Sequence, residues 1–158
     1  MKVVLWQIGK TAFPYLEEGM RIYETRLNRY LPFQIETLPD VKNAQKRSAE
    51  QLKIKEGELV LAKLNPDDHL VLLDEGGKMY TSLEWAQSLE RELMMSHKRM
   101  VFLIGGAQGF SQQVYKRANA KLSLSRMTFS HQMIRLFFLE QLYRAMTILR
   151  NEPYHNQG

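Results

Sequence analysis

Apolar residues recur along this chain with two periods, and the two alternate. VVLWQI (3–8), FQIETL (33–38), HLVLLD (69–74), RMVFLI (99–104) and KLSLS (121–125) are short runs rich in β-formers, and each reads as a strand. Between them the spacing becomes helical. Tyr15, Leu16, Met20, Tyr23, Leu27 and Tyr30 predict an amphipathic helix over 14–30, with Pro14 suited to its first turn. Residues 44–64 predict a highly charged helix that Gly57 interrupts. Thr81-Ser82-Leu83-Glu84 is a capping box ahead of a stripe at Leu83, Ala86, Leu89 and Leu93, which predicts a helix over 82–95. Ser111 is an N-cap for a short helix to Ala118, and 131–150 form a long helix that Pro153 ends. EGGK (75–78) reads as a turn or loop and GGAQG (105–109) as a tight turn. Strands and helices alternate throughout, so a single α/β domain over 1–158 with a mostly parallel sheet is expected. There is no internal repeat and no low-complexity segment.

The last helix is apolar nearly all round. Ile134, Phe138, Leu142, Ala145 and Leu149 form one stripe, while Met133, Leu136, Phe137, Tyr143 and Met146 cover much of the rest. Such a helix must be buried on more than one side. One side against the sheet and one against a second copy predicts a homodimer with two-fold symmetry.

Composition narrows the chemistry. With no cysteine among 158 residues there is no disulfide framework, no thiolate metal site and no cysteine nucleophile. No uncharged apolar run reaches the roughly 18 residues of a membrane span, and MKVVLWQIGK lacks the features of a signal peptide. A cytoplasmic protein is expected. No histidine and carboxylate stand at metal-ligand spacing, so no metal is expected. His69 and His97 read as structural or exposed. The net charge of +5 is unevenly placed: residues 1–110 sum to zero, and 111–158 hold seven basic residues against Glu140 and Glu152. Localised positive charge suits an anionic partner such as nucleic acid, or else a solvated helix face.

Three loops follow the third, fourth and fifth strands: Leu73-Asp74-Glu75-Gly76-Gly77, Gly105-Gly106-Ala107-Gln108-Gly109, and Ser125 to Ser130. Ligands of open α/β sheets bind beyond the carboxyl ends of the strands. Neither a GxGxxG fingerprint nor a GxxxxGK[ST] phosphate loop is present. The third loop, Arg126-Met127-Thr128-Phe129-Ser130, carries no Gly and no Pro, so something other than turn chemistry must hold it. His131 precedes Arg135 by one helical turn and reads as a proton acceptor, a donor to RNA, or a helix-terminus residue. Tyr154 and His155, just past Pro153, could stack on or hydrogen-bond to a nucleobase, or fray as a terminus.

LLDEGGK, FLIGGAQGF, LSLSRMTFSHQMIRLFFLEQLYRA and the closing EPYH, together with the early pair Gly9-Lys10, resemble the ribosomal RNA large-subunit methyltransferase H family. That family belongs to the SPOUT, or α/β-knot, methyltransferases, and the resemblance runs from the first strand to His155. It implies a Rossmann-like sheet with a deep C-terminal trefoil knot, which would hold the loop that lacks Gly and Pro. It implies S-adenosylmethionine as co-substrate and no metal. It implies methylation of N3 of pseudouridine 1915 in 23S ribosomal RNA, within the assembled ribosome, with neither DNA nor membrane as partner. By motif, the cofactor contacts are Leu73, Gly105, Leu124, Ser125, Arg126, Met127, Thr128 and Phe129. The catalytic group is His131, Arg135, Arg144, Tyr154 and His155. In it His131 or His155 accepts the N3 proton, Arg135 or Arg144 stabilises charge on the flanking carbonyls, and the tail of one subunit completes the site of the other. Arg117, Lys121 and Arg150 would contact phosphates. Ser130 stands where the family commonly has Pro and is expected to cap the helix. Asn156, Gln157 and Gly158 run past the usual end as a solvated extension. Two other readings stand beside this one: a non-catalytic ribosome- or RNA-binding module, and a nucleotide-cofactor oxidoreductase suggested by the α/β pattern alone.

Overall fold

The five apolar runs become five strands in a computed structural model of the chain that describes residues 1–157. They are β1 (Lys2–Ile8), β2 (Phe33–Leu38), β3 (His69–Met79), β4 (Arg99–Ile104) and β5 (Ala120–Ser123). They form one sheet, ordered β2-β1-β4-β3-β5, in which every neighbouring pair is parallel. The helices are α1 (Pro14–Leu27), α2 (Ala49–Lys63), α3 (Ser82–Leu93), α4 (Gln112–Arg117) and α5 (Met133–Leu149).

Alternate strand residues face opposite layers, and both faces are buried, as a parallel sheet requires. Val3, Leu5, Val71, Met100, Phe102 and Leu122 pack with residues of α1, α3 and α5, among them Leu27, Leu89, Phe138 and Leu142. Val4, Trp6, Leu70, Leu72, Val101 and Leu103 pack with Val60 of α2 and Val114 of α4. α5 contacts both α1 and α3, which explains why apolar residues cover so much of its circumference.

Several expected elements were redrawn by packing. The helix expected over 44–64 divides into a 3-10 turn at Ala44–Lys46 and α2. Ser48 starts α2, exchanging hydrogen bonds with Gln51 in a reciprocal cap. Gly57 does not interrupt it. A Cβ there would lie 2.5 Å from Ser111 Oγ, so the missing side chain lets α2 meet the start of α4. EGGK is not a turn. β3 continues through it to Met79, with its register against β5 slipping between Leu73 and Lys78. Gly77 makes this possible, because a Cβ there would sit 2.7 Å from the backbone at Lys121 and Leu122. In α3, Leu83 is 52% exposed, and Trp85 instead enters the core, edge-on to Phe102 and Phe138. α1 stops at Leu27 because the Asn28 side chain bonds back to Glu24 O and across to Phe33 O. α5 begins at Met133, later than His131, and Ser130 Oγ accepts from Met133 N–H at 3.0 Å, the capping role expected of it. His155–Gln157 coil into a 3-10 turn that leaves Asn156 exposed; Gly158 lies outside the described residues.

One long-range tie positions everything that follows. Arg135, in the first turn of α5, donates to Ile8 O and Gly9 O at the end of β1. β5 lies at the opposite side of β3 and β4. The segment joining β5 to α5 must therefore cross the carboxyl ends of β3 and β4.

Candidate active site

That crossing segment closes a cleft of about 300 Å³ over the strand ends. Leu73 and Asp74 of β3, Gly105 and Gly106 after β4, and Leu124, Ser125, Met127, Thr128, Phe129 and His131 line it. Seven of the eight residues assigned to the cofactor by motif thus meet in one place. Arg126 is exposed and does not line the cleft. The loop lacking Gly and Pro is held by serines: Ser123 Oγ donates to Ser125 O, and Ser125 Oγ accepts from Met127 N–H, both at 2.9 Å. Gly105 leaves room for the Phe110 ring, which a Cβ would approach to 2.9 Å. Asp74 is fixed at the rim by Tyr115 O–H at 2.7 Å and by Gly76 N–H at 3.2 Å. Burial and that carboxylate push the Tyr115 phenol up to about 12.

The five residues assigned to catalysis divide into two groups. His131 stands at the cleft, and Arg135 lies buried one helical turn behind it. His131 lines it, half-buried, and burial together with the charge of Arg135 lowers its pKa, against the pull of Asp40. Its imidazole is therefore held neutral at pH 7 and able to accept a proton. Arg135 is fully buried and is not placed to touch a substrate. Besides Ile8 O and Gly9 O it donates to Thr11 Oγ1 at 3.1 Å and, through Nε, to His131 O. Burial pushes its pKa down to about 10, opposed by Asp40. The expectation that Arg135 stabilises charge on a substrate is corrected: it is a strut between α5 and β1.

Arg144, Tyr154 and His155 form the second group, around Glu140. Arg144 donates Nε and Nη2 to the two Glu140 oxygens at 3.1 and 3.2 Å. Its Nη1 meets His155 Nδ1 at 3.1 Å, and its guanidinium lies 4.8 Å from the Tyr154 ring centroid. Arginine has no acceptor, so His155 Nδ1 accepts, and the proton of the ring lies on Nε2. Tyr154 O–H reaches Glu140 at 3.4 Å, and burial with Tyr23 and Glu140 beside it raises its pKa. The tail is thus docked rather than frayed. Arg135 and Arg144 are nine residues apart, about 14 Å along a helix. Glu140 was missed from sequence, although its i,i+4 spacing to Arg144 is a recognisable ion-pair signal.

The basic excess of the C-terminal part is partly spent inside the fold. Arg117 donates to Asn65 O, Asp68 O and Asn119, so it clamps the turn before β3 rather than presenting a free charge. Lys121 and Arg150 remain exposed. Among the described residues no group of three His, Asp or Glu side chains could hold a metal, and no helix is long and apolar enough to cross a membrane.

A family model described as a predicted SPOUT methyltransferase matches residues 1–155. The chain belongs to the SPOUT methyltransferases. Curated relatives align end to end. A protein of Parabacteroides distasonis is 55% identical, and one of Flavobacterium johnsoniae 51%, each over 99% of this chain and the whole of the relative. A Porphyromonas gingivalis protein is 50% identical over the same extent. All three are named ribosomal RNA large subunit methyltransferase H.

Proposed function

We propose that this protein is an S-adenosylmethionine-dependent methyltransferase acting on N3 of a pseudouridine in 23S ribosomal RNA of the large subunit, in the cytoplasm. The observation that carries this reading is the convergence of the three motif segments, one in β3 and two in the loops after β4 and β5, on one cleft, in a chain that aligns from end to end with relatives so named. The cleft fits the co-substrate. Its volume is at the lower end of small-molecule sites, Ile104, Leu122 and Ile134 give it apolar walls, and loop main chain and the Asp74 carboxylate supply polar groups. Leu73, Gly105 and residues 124–129 would hold the methyl donor; Arg126 would do so through its backbone. When bound, S-adenosylmethionine supplies a methyl group already activated on sulfur.

The remaining chemistry belongs to the side chains. N3 of a pseudouridine carries a proton that must leave before it can attack. His131, neutral and at the cleft, accepts that proton. His155 is the poorer base, since Arg144 already occupies its Nδ1 lone pair. Arg144 has two N–H groups not committed to Glu140 or His155, and these stabilise negative charge on the carbonyls beside N3.

The same reading includes a homodimer and a knotted C-terminus. Phe13, Tyr15 and Phe137 are exposed aromatics on the outer side of α1 and α5, the face a second copy would cover. Pairing there would bring one tail to the other chain's cleft. The crossing of 124–132 over β3 and β4 supports the knotted reading. In this reading the substrate is a structured ribosomal surface, whose phosphates the exposed Lys121 and Arg150 would meet. Calorimetric titration with S-adenosylmethionine, with NAD as control, tests the cofactor: saturable binding to the methyl donor alone is expected, and binding to NAD instead would sink the reading. Methyl transfer to ribosomes lacking the modification tests the rest. Equal rates on an isolated RNA hairpin would count against the assembled ribosome as substrate.

A further inference from the structure

The loop after β4 opens with two adjacent glycines, Gly105 and Gly106, and both line the cleft. A peptide between two glycines meets little resistance to turning over, because neither flanking residue has a Cβ. Its orientation must be held from outside. Glu56 of α2 meets it from behind. This carboxylate does not line the cleft, yet a Cβ at Gly106 would lie 2.6 and 2.9 Å from its two oxygens, and it accepts the Gly106 N–H. The next residue, Gly57, meets Ser111 at the far end of the same loop. Consecutive residues of α2 thus touch both ends of it, and Gly109 N–H closes the turn between them onto Gly106 O at 3.2 Å. Glu56 is half-buried and carries its charge without a cation. Lys53 and Lys55 pair instead with Glu50 and Glu58, and the charged group that bears on Glu56 is Asp40, of like sign.

Building on the function proposed above, we propose that Glu56 is a positioning residue for the methyl donor: its carboxylate locks the Gly105–Gly106 peptide so that the Gly105 carbonyl faces the cleft. The N–H and C=O of a trans peptide point in opposite directions. With the N–H held on Glu56 behind the loop, the carbonyl is turned to the other side. S-adenosylmethionine is cationic at sulfur and carries N–H donors on its adenine and its ammonium. A carbonyl in the cleft attracts such a ligand, and an N–H turned into the cleft does not. A hydrogen bond to an ionised acceptor is roughly twice as strong as one between neutral groups, so a carboxylate holds the peptide better than a carboxamide would. That charge is kept at a cost to the fold. Burial pushes the Glu56 carboxyl above its ordinary value of 4.5, with Asp40 adding to the rise and the Gly106 N–H opposing it. A carboxyl raised in the folded chain favours folding below its ordinary value, and that contribution is lost as pH rises through the folded value. At neutral pH the ionised group is therefore a burden on stability, of the kind retained where activity needs it.

The test uses the full-length protein with Glu56→Gln, and Glu58→Gln on the exposed side of α2 as control. Three readouts are taken: calorimetric affinity for S-adenosylmethionine, thermal melting, and hydrogen exchange of the Gly106 amide without ligand. Glu56→Gln should melt at or slightly above the wild-type temperature and bind the methyl donor about fivefold more weakly. Glu58→Gln should leave both unchanged. The Gly106 amide should exchange slowly in the wild type and roughly fivefold faster in Glu56→Gln. Wild-type affinity in Glu56→Gln would overturn the proposal, and so would a wild-type Gly106 amide that exchanges as fast as an open loop. Affinity and melting temperature falling together would also overturn it, since a purely structural contact gives that result. A wild type that binds no methyl donor would instead defeat the function on which the proposal rests.

Discussion

Arg135 and Arg144 sit on the same helix, nine residues apart, and the fold gives them opposite work. Arg135 is fully buried, bonded to main-chain carbonyls and Thr11, and its pKa is pushed down because its charge has little water and one distant carboxylate to stabilise it. Arg144 is partly exposed, paired with Glu140, and its pKa is raised by that hydrogen bond in spite of some burial. One arginine ends in backbone and fixes the position of an element. The other ends in titratable side chains and keeps donors to spare. In the proposed site, the residue that aligns the loops and the residue that would meet the substrate are chemically identical, and only their partners tell them apart.

The largest effect should come from removing the strut. Arg135→Met leaves the Ile8 and Gly9 carbonyls without their donor, which should cost about 3–5 kcal/mol of unfolding free energy and lower Tm by roughly 10 °C. Denaturant or thermal melts read this directly. Arg144→Ala should behave in the opposite way: turnover on ribosomes should fall about 10²–10³-fold, while stability changes by less than about 1 kcal/mol. The comparison breaks if Arg144→Ala unfolds the protein or if Arg135→Met melts like the wild type.

A pH profile sharpens it further. If His131 is the base, turnover should be lost as pH falls through its folded pKa, which lies below the ordinary histidine value of 6.5. Where Arg135→Met is folded, the loss of its charge should move that acid limb upward. His131→Ala should remove the limb and reduce turnover about 10²–10⁴-fold; full turnover in both His131→Ala and His155→Ala would end the histidine-base idea. The depressed pKa of His131 also bears on stability. The unfolded chain binds the proton more readily, so the contribution is complete above 6.5 and is lost as pH falls towards the folded value. The smallest effect belongs to the cap at the start of α5: Ser130→Ala should cost about 1 kcal/mol by melting, with cofactor affinity nearly unchanged.

Much was legible in the order of the residues alone. β2 and β4 were found at their observed bounds because each leaves a local pattern: FQIETL alternates along a half-exposed edge strand, and RMVFLI is an apolar run buried on both faces. The capping box at Thr81 and the cap at Ser111 were legible for the same reason, since their partners lie three residues away. The loops after β4 and β5 followed from the rule that ligands lie beyond the strand ends, and from motif resemblance, whereas the 73–77 stretch read as a loop is strand. What failed was non-local. EGGK looks like a turn until Gly77 is seen against the backbone of β5, some 45 residues onward. Leu83 fits its helical stripe, yet Trp85 takes the core because Phe102 and Phe138 arrive from other elements. Arg117 and Arg135 both read as free charge until tertiary contacts supply their carbonyl partners.

The sequence by itself determined the alternation of strands and helices, the caps at Thr81 and Ser111, the loops after β4 and β5 and the family to which the chain belongs. Each is written in neighbours within a few positions or in a motif. Only the tertiary structure decided which arginine is a strut, that serine hydroxyls hold the 123–130 loop, that Tyr154 and His155 dock on Arg144 and Glu140, and that Glu56 meets Gly106 behind the loop after β4. The physical reason is common to all four. The role of a polar side chain is set by which donors and acceptors remain unpaired once the chain has folded, and those partners come from segments far apart in the sequence.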